Sequence, residues 1–398
     1  MLMGKILWIL LVFMVLQLQA AASQDSLDYV GWWIDCGSEV TRVGPNMTMW
    51  DTDEDFTRSG INKLVLDLQP LDEMNTLRVF PDQTDQNCYT FPTAMFPHKT
   101  LRYVIRAGFY YGNYDGLSNP PTFELHLNGG KWATVNTALR NGPVYHEIVY
   151  SLQKSAILTV CLVQTRDGEV PFISTLEFMP LPDVLYPHLD PDISFTLLWR
   201  ANLGGGEVRY AGLITDEFYN RIWTRGVTPS NCIQVTTLPD SNILGVENDP
   251  PVPVLRESIV SNTSDPITLT VDLPTATPQS AHFAFYFTEL ASRPLLNDTR
   301  IIDINIDGQM MQAVEAEMNK CKVVTLYPAI VSGPTINITL AANESSTLPP
   351  MITAVEVFTK NDLAPVEGKD NSTNEQKHLS LSHFLSISVF CLVVSFMA

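Results

Sequence analysis

The sequence predicts an all-β protein built from two copies of one β-sandwich. Short runs that alternate apolar and polar residues recur along the chain, and long helical periodicity is scarce. Two such runs, at 123–129 and 302–308, end in the turn dipeptides Asn-Gly and Asp-Gly, as a strand does when it enters a tight hairpin. Matching segments follow 44 positions after each turn glycine, at Ile173 and Ile352. All of these landmarks share one offset of 179 residues, which indicates a duplicated domain.

The strand-forming runs divide the chain into two halves. The runs at 267–273 and 335–340 alternate with period two, and 157–163 is the matching β-prone run of the first half. Prolines and glycines between the runs supply turns at the spacing of sandwiches. The predicted layout is a first sandwich at 28–180, a proline-rich linker at 181–192, a second sandwich at 193–359 and a polar stalk at 360–371.

The N-terminus has the residue order of a secretory signal. Lys5 precedes an uncharged, mostly apolar stretch from Ile6 to Leu18, and small residues follow up to Ala22. We predict that residues 1–22 are a signal peptide. A transmembrane helix is the weaker alternative because the apolar run is too short to span ~30 Å of hydrocarbon.

The C-terminus carries a second apolar run, at 379–398, behind small residues and a polar spacer. This is the layout of a GPI-attachment signal, so we predict a lipid anchor at Asn371 or Ser372 and a propeptide at 372–398. A membrane-spanning tail is the alternative, and it lacks the basic residues that normally fix its orientation. The expected location is the extracellular face of the plasma membrane.

Asn-X-Ser/Thr sequons support passage through the secretory pathway. One of them is at Asn371, which is also a candidate anchor residue. The expected glycosylation sites are the others: Asn46, Asn262, Asn297, Asn337 and Asn343.

The formal net charge of −19 argues against nucleic acid as a partner, because phosphates would be repelled. It also disfavours a polyanionic wall polysaccharide, unless a local basic patch or bridging cations intervene. No CxxC spacing occurs, so we expect no zinc site, and we expect no cofactor.

Five cysteines remain outside the predicted propeptide, so at least one must be unpaired or pair between chains. If bridges stay within one copy, Cys232 and Cys321 form the natural pair of the second half. Two of Cys36, Cys88 and Cys161 are then available to pair in the first half.

The segment at 110–115 contains the candidate ligand-binding residues. It combines three aromatic rings, an amide and a carboxylate on a predicted loop, a composition that suits a saccharide. The residues are Tyr110, Tyr111, Asn113, Tyr114 and Asp115. The structural alternative is that the first two tyrosines pack in the core while 113–116 form a turn, and it is favoured because buried aromatic residues are commoner than ligand platforms.

Two other segments have competing interpretations. The acidic run at 51–55 begins like a calcium loop, but Phe56 and Asn62 stand where glycine and glutamate are required, so a solvated acidic loop is the better interpretation. The run at 220–225 places arginines on either side of Trp223. It serves either the interface between the two copies or local packing, and packing is favoured.

Catalytic motifs are scarce, and we predict that the protein is not an enzyme. The three glycines at 204–206 lack a following Gly-Lys-Ser/Thr, and there is no nucleophile elbow. His146 has no second histidine four positions on. Pairs of carboxylates that meet in space remain the one enzymatic alternative, with glycoside cleavage as its reaction.

A set of short stretches occurs in one order along the chain and is specific as a set. They lie at 33–37 (Trp-Ile-Asp-Cys-Gly), 77–81 (Leu-Arg-Val-Phe-Pro), 87–89 (Asn-Cys-Tyr), 103–107 (Tyr-Val-Ile-Arg-Ala), 111–116 (Tyr-Gly-Asn-Tyr-Asp-Gly), 121–125 (Pro-Thr-Phe-Glu-Leu), 160–163 (Val-Cys-Leu-Val), 171–174 (Pro-Phe-Ile-Ser), 220–223 (Asn-Arg-Ile-Trp) and 250–255. In these residues the chain resembles the plant malectin-like extracellular region, which precedes the kinase domain of many plant receptor kinases. The resemblance covers about 28–358.

The resemblance implies two tandem malectin-type, jelly-roll-like β-sandwiches that recognise a glycan or peptide signal outside the cell. Unlike its receptor relatives, the sequence shows no leucine-rich repeats and no kinase after the second copy. Cys232 and Cys321 stand where the family has ordinary residues, which favours their pairing with each other. We therefore expect a surface protein that presents its ligand to a transmembrane receptor-kinase partner. The alternative is a structural or adhesive wall protein that binds no small ligand.

Overall fold

A computed structural model describes residues 31–363 except 45–47, 83–85, 94–95, 97–101, 140–141, 153–156, 210–218, 237–244 and 290–296. The predicted signal peptide, both anchor residues (Asn371 and Ser372), the propeptide and Asn46 therefore lie outside the described residues. Within the described ranges, no helix is both long enough and apolar enough to span a membrane.

The first half of the chain is built from short strands. They are β1 (Trp32–Asp35), β2 (Arg42–Val43), β3 (Met49–Thr52), β4 (Ile61–Leu64), β5 (Thr76–Val79), β6 (Asn87–Pro92), β7 (Arg102–Phe109), β8 (Thr122–Leu127), β9 (Gly130–Asn136), β10 (Val144–Ser151), β11 (Ile157–Gln164), β12 (Phe172–Ile173) and β13 (Thr175–Pro180). In the described part of this half, the short 3₁₀ helices Asp72–Met74 and Thr137–Leu139 interrupt them.

The second half repeats this series. Its strands are β14 (Ser194–Asn202), β15 (Thr224–Arg225), β16 (Cys232–Thr236), β17 (Glu257–Ser261), β18 (Ile267–Asp272), β19 (Gln279–Thr288), β20 (Ile301–Ile306), β21 (Gln309–Glu315), β22 (Cys321–Val331), β23 (Thr335–Ala342), β24 (Met351–Ile352) and β25 (Ala354–Asn361). A short helix, α1 (Val252–Leu255), precedes β17.

The strand order of the sheets shows the duplication. One long sheet runs β2-β3-β1-β13-β7-β10-β14-β25-β19-β22, and β15 pairs with β14. Its first part, β3-β1-β13-β7-β10, has the same order as its second part, β15-β14-β25-β19-β22. In both parts the outer pair, β1 with β3 and β14 with β15, is parallel. The four-stranded sheets β6-β11-β8-β9 and β18-β23-β20-β21 also match, as do the three-stranded sheets β12-β5-β4 and β24-β17-β16.

Each half has its own hydrophobic core between the long sheet and its four-stranded sheet. In the first core, Ile105 and Phe109 of β7 pack with residues of β6 and β8 such as Phe91 and Leu125. The second core joins residues of β19 and β25 to residues of β18, β20 and β23 in the same way. The predicted fold, all-β with two tandem sandwiches, is confirmed.

The two hairpin turns predicted from Asn-Gly and Asp-Gly are present. Asn128 and Gly129 have φ angles of 48° and 80°, and Asp307 and Gly308 have 50° and 81°, as a two-residue turn with two left-handed positions requires. The Oδ1 atom of the first turn residue accepts a backbone N–H from the neighbouring strand in both halves, at 2.8 Å. The offset of 179 residues therefore matches positions of equal structure.

The cysteine prediction is confirmed in the first half and wrong in the second. Cys88 and Cys161 face each other on β6 and β11 and form a disulfide. Cys232 and Cys321 are free thiols. Cys232 belongs to the second core, whereas Cys321 packs beside a separate cluster around Trp223, so the two cysteines lie in different parts of the second half.

The sandwiches join because β10 pairs with β14, at Ile148 opposite Thr196 and Val149 opposite Phe195. The face of the long sheet opposite the two cores is also buried. The predicted linker covers part of it, because Leu185 in the linker packs in one cluster with residues of both halves. The linker is therefore a packed element.

A ladder of buried charges crosses the same face of the long sheet, one residue from each successive strand. It consists of Glu177 (β13), Arg106 (β7), Glu147 (β10), Arg200 (β14) and Glu356 (β25), all at most 4% exposed. The oxygen-to-nitrogen distances along the ladder are 2.9, 2.8, 2.8 and 2.5 Å. Charges of opposite sign alternate, so each buried ion has an opposite neighbour.

Burial alone would raise the pKa of Glu147, but the adjacent guanidinium groups of Arg200 and Arg106 lower that pKa to about 2. Glu147, at the centre of the ladder, is therefore ionised at neutral pH. This centre lies at the boundary between the two sandwiches.

The segment at 220–225 packs locally, with the Arg221 guanidinium 5.5 Å from the centre of the Trp223 ring, and it also joins the ladder. The backbone oxygen of Asn220 accepts a hydrogen bond from Arg106 at 2.5 Å, and its side-chain amide donates to Glu177 at 2.6 Å. Arg221 donates to the hydroxyl of Tyr186 at 3.2 Å, and that hydroxyl donates to Glu356 at 2.6 Å. The segment therefore serves the interface between the two copies.

Candidate functional site

The loop that follows β7 is fixed by a close approach of backbone. The Gly112 carbonyl accepts hydrogen bonds from the backbone N–H groups of Leu66 and Asp67, at 2.8 and 3.0 Å. A Cβ atom on Gly112 would lie 2.5 Å from the Cβ of Val65, and its φ of 47° also favours glycine. Only glycine fits here, so the tyrosines on either side of it are held in place.

The first three predicted site residues each make a hydrogen bond through the side chain. Tyr110 is half-buried, and its hydroxyl donates to the carbonyl of Asp67 at 2.9 Å. Tyr111 is 8% exposed and its hydroxyl donates to Asp115. Burial, and then this hydrogen bond, raises the pKa of Tyr111 to about 12, so the phenol stays protonated. Asn113 accepts from the backbone N–H of Ser118 at 2.8 Å.

Tyr114 and Asp115 hold the loop. The ring of Tyr114 packs against the rings of Tyr111 and Phe172, with centroids 5.4 and 5.9 Å apart. Asp115 is exposed, and it also accepts the backbone N–H of Leu117 at 3.0 Å. The loop thus combines both interpretations, since part of it packs and turns while part of it faces a cleft.

That cleft, called the first cleft below, has a volume of about 320 Å³. Three predicted residues line it: Tyr110, Tyr111 and Asn113. Residues that sequence reasoning missed complete the lining: Asp67, Gly112, Ser118, Pro120, Thr137, Ala138 and Gly142. They come from three separate segments, and no local motif marks them.

Thr137 is the member of the first cleft that most needs a partner. Its side chain is 5% exposed, and within the described ranges its hydroxyl has no hydrogen-bond partner. A buried hydroxyl without a partner is costly, because it has lost water and gained nothing in return.

A second cleft of about 420 Å³ adjoins the first. It is lined by Gln69, Pro70, Leu71, Gly142, Pro143, Glu207 and Arg209, so Gly142 belongs to both clefts and residues of both halves contribute. Arg209 pairs with Glu207 at 2.7 Å and donates to the hydroxyl of Tyr145 at 3.1 Å. Its guanidinium also lies 5.2 Å from the centre of the Tyr145 ring. This cation is therefore already engaged within the protein.

Comparison with known proteins agrees with the fold. Residues 34–360 match the family model described as "Malectin-like domain". The chain belongs to the malectin-like family. Its relatives in Arabidopsis thaliana include "Probable LRR receptor-like serine/threonine-protein kinase At1g05700", 31% identical over 359 residues (86% of this chain, 39% of that protein), and "Receptor-like protein kinase At3g21340", 28% identical over 380 residues (93% and 40%). The chain spans about two fifths of the length of these kinases.

Solved malectin-like ectodomains share the architecture. The extracellular domain of ANXUR1 from Arabidopsis thaliana superposes with a TM-score of 0.66 at 14% identity, covering 83% of this chain and 97% of that one. The plant receptor-like kinase FER gives a TM-score of 0.66 at 17% identity, covering 83% and 96%. At these identities the likeness shows the fold alone.

In this malectin-like chain the acidic run at 51–55 is only partly solvated. Glu54 and Asp55 are exposed, but Asp53 is buried and accepts two hydrogen bonds from Arg78, both of 2.6 Å. Tyr89 donates a third, at 2.7 Å. The interpretation of a solvated loop is therefore wrong for Asp53, which is a core ion-pair residue. The described residues contain no group of carboxylate, histidine and cysteine side chains that could hold a metal ion.

The described sequons lie in the second malectin-like sandwich. Asn262, Asn297 and Asn337 are exposed, and Asn343 is half-buried, with its amide donating to Asp303 at 2.9 Å. Their glycosylation stays a prediction.

Proposed function

We propose that this malectin-like protein is a cell-surface recognition protein. It binds an oligosaccharide or peptide signal and presents it to a transmembrane receptor partner. Its relatives are named as receptor-like kinases, of which this chain matches about two fifths, and its structural neighbours are receptor ectodomains.

The observation that carries the proposal is the first cleft, which is lined by polar residues from three segments of the first sandwich. These residues include Tyr110, Asn113 and Asp67. A few polar groups that converge on an open cleft are typical of ligand sites. The proposed role is non-enzymatic, and none of the five carboxylate and guanidinium residues of the charge ladder lines either cleft.

A matched pair of tyrosine variants tests this site. The purified full-length chain is applied to an array of neutral oligosaccharides and peptides, and affinity for the strongest hit is then measured by titration calorimetry. Tyr110→Phe removes a hydroxyl at the first cleft and is expected to weaken binding about fivefold, the ratio for one hydrogen bond of about 1 kcal/mol. Tyr114→Phe, on a ring that packs in the core, is expected to leave binding unchanged. Equal affinities for both variants would place the ligand elsewhere.

An adhesive function is the second candidate, and exposed leucines favour it. Leu64, Leu66, Leu68 and Leu117 are 63–75% exposed. Leu66 and Leu68 flank Asp67 in the chain, and Leu117 precedes Ser118, and both of these polar residues line the first cleft. Neighbouring exposed apolar side chains mark protein contacts more often than sugar contacts. Sedimentation of the full chain distinguishes the two functions. Self-association that is lost in Leu66→Ser, together with no array binding, would favour adhesion.

We also propose that the protein is held on the extracellular face of the plasma membrane by a lipid anchor at Asn371 or Ser372. The sequence pattern at 368–398 supports this. Phosphatidylinositol-specific phospholipase C is then expected to release the protein from membranes of expressing cells. Retention in the detergent phase, with a known anchored protein released in the same sample, would favour a spanning tail.

A further inference from the structure

The disulfide of the first sandwich lies in a row of four residues that crosses the sheet β6-β11-β8-β9. Cys88 of β6 is opposite Cys161 of β11. Cys161 is in turn opposite His126 of β8, and His126 is opposite Lys131 of β9. The residues on either side of Cys161 and of His126 belong to the first core, so these two side chains lie on the outer face of the sheet. Opposite residues in antiparallel strands have Cβ atoms about 4.5–5.5 Å apart, which places His126 beside the sulfur of Cys161.

The two cysteines of this disulfide differ in exposure. Cys88 is half-buried on the outer strand of the sheet, whereas Cys161 is buried on the strand next to it. A thiolate from the medium can therefore attack the sulfur of Cys88, and the sulfur of Cys161 is then the leaving group. Disulfides that the solvent reaches are more easily reduced than enclosed structural ones.

One carboxylate holds both basic side chains of the row. The imidazole Nε2 of His126 lies 2.9 Å from one oxygen of Glu124, and Lys131 donates a hydrogen bond to the other oxygen at 2.6 Å. The contact with Lys131, and then that with His126, lowers the pKa of Glu124. Basic groups near a cysteine stabilise its thiolate, and an imidazole can donate a proton to a departing group. The row thus places a leaving sulfur beside groups that assist its departure.

The equivalent row of the second sandwich consists of other residue types. Thr268 of β18 is opposite Thr339 of β23. Thr339 is opposite Asn305 of β20, and Asn305 is opposite Met310 of β21. The two copies therefore pair their strands in the same way, with cysteines and basic residues together in one row and uncharged residues without thiols in the other. Strand pairing alone requires neither the disulfide nor its basic neighbours.

We propose that the Cys88–Cys161 disulfide is a thiol-exchange site, which a small dithiol in the medium reduces while the first sandwich stays folded, with His126 and Lys131 promoting the reaction. This site is separate from the proposed recognition function and does not depend on it. Its substrate is a small dithiol, because two thiols on one molecule complete the reduction.

The reaction has two steps. A thiolate of the dithiol attacks the sulfur of Cys88, the bond between the two cysteines breaks, and its electron pair leaves with the sulfur of Cys161 beside His126. The second thiolate of the dithiol then attacks the mixed disulfide at the dithiol's own sulfur and releases Cys88. The dithiol becomes a cyclic disulfide, and the two protein sulfurs gain the two electrons and two protons that it loses.

Reduction of the folded protein by dithiothreitol tests the proposal. The oxidised full-length chain is treated at pH 7, quenched with acid and alkylated in denaturant, and mass spectrometry gives the reduced fraction of the peptides that contain Cys88 and Cys161. The expected rate is independent of urea at concentrations that leave the chain folded, and the circular dichroism spectrum of β-structure is retained after reduction. A rate that rises with urea in parallel with the unfolded fraction would overturn the proposal, because the disulfide would then react only in unfolded chains.

Variants taken from the second sandwich test the basic residues. His126→Asn and Lys131→Met give the first row the residues of the second, and each is expected to slow reduction roughly threefold to tenfold. Lys131→Arg keeps the cation and is the matched control, expected to react as fast as the unmodified protein. A purely structural role for these residues would change the melting temperature of the oxidised protein and leave the rate in the folded state unaltered. Rates equal to that of the unmodified protein in both His126→Asn and Lys131→Met would therefore also overturn the proposal.

Discussion

His282 of β19 is a buried histidine in an apolar environment. It is 1% exposed, and its two ring nitrogens have no hydrogen-bond partner within the described ranges. It packs between the rings of Tyr327 and Phe358, at 5.8 and 5.9 Å. Burial lowers its pKa to about 4, an effect that nearby Glu356 opposes. The folded protein therefore holds this imidazole neutral where an unfolded chain would protonate it.

The sign of the resulting pH dependence follows directly. Above pH ~6.5 the imidazole is neutral in both states and contributes nothing. As the pH falls from ~6.5 to ~4, only the unfolded chain binds the proton, so the folded state loses up to about 3 kcal/mol. His282→Phe is expected to remove this loss, measured as the free energy of unfolding in urea at several pH values. His126→Phe, at a histidine on β8 of the first sandwich, is the control. Parallel pH curves for the wild type and His282→Phe would contradict the prediction.

Single residues were the hardest features to predict from sequence. The run at 51–55 has the composition of a solvated loop, yet Asp53 is buried because Arg78, 25 positions away, neutralises it. Whether an acidic residue is solvated or buried in an ion pair depends on a distant partner residue, which the neighbouring sequence does not identify. The same holds for Thr137, whose position in the first cleft follows from the fold and from no motif.

The hairpin turns allow a prediction at the level of single elements. Gly308 has a φ of 81°, and a Cβ atom placed there meets no other atom within 4 Å. Gly308→Ala therefore changes backbone strain alone and is expected to lower the free energy of unfolding by about 1–2 kcal/mol. Gly129→Ala, at the equivalent turn, is expected to cost the same. Gly206→Ala is the control, since its surroundings are equally open and its φ is not left-handed. A loss equal to that of the control would show that the turn is not strained.

Strands of the outer sheets were predictable because their pattern is local. In β20 the side chains of Ile302, Ile304 and Ile306 are buried and the intervening ones are not, as period two requires. The central strands β7 and β13 are buried on both faces, so their sequence carries no alternation. Their place in a sheet shared by both sandwiches could not be read from periodicity.

The disulfide also belongs to the level of elements. The second sandwich has the cross-strand pair Thr268–Thr339 where the first has Cys88–Cys161. Replacing both cysteines by threonine gives the first sandwich the residue pair that the second sandwich has at this place. The pairing of the two strands is therefore expected to be retained. The disulfide joins residues separated by 73 positions, and its loss is expected to cost roughly 4 kcal/mol through the entropy of the unfolded chain. The measurement is urea unfolding with and without reductant. If reductant destabilises the double variant as much as the wild type, the disulfide is not the source of the effect.

At the scale of the whole molecule, the sequence predicted two copies but not how they are joined. The segment at 220–225 reaches Arg106 across 114 positions, so nothing local distinguishes an interface residue from a packed one. The shared offset did place Glu177 on Glu356, and both are buried acidic ends of the same charge ladder. Duplication of the domain accounts for both of these carboxylates. The two arginines and Glu147 lie between the two carboxylates and connect the halves.

This ladder predicts that the two sandwiches unfold together. Arg200 lies between Glu147 of the first sandwich and Glu356 of the second, at 2.8 and 2.5 Å. Arg200→Met leaves two buried carboxylates without their shared cation and is expected to cost about 3–5 kcal/mol. Because one carboxylate belongs to each sandwich, neither half keeps its stability, and calorimetry is expected to show one transition at a lower temperature. Arg166→Met, which removes an arginine that is 76% exposed, is expected to change stability by less than ~0.5 kcal/mol. Two resolved transitions, with only one of them shifted in Arg200→Met, would mean that the two sandwiches unfold independently.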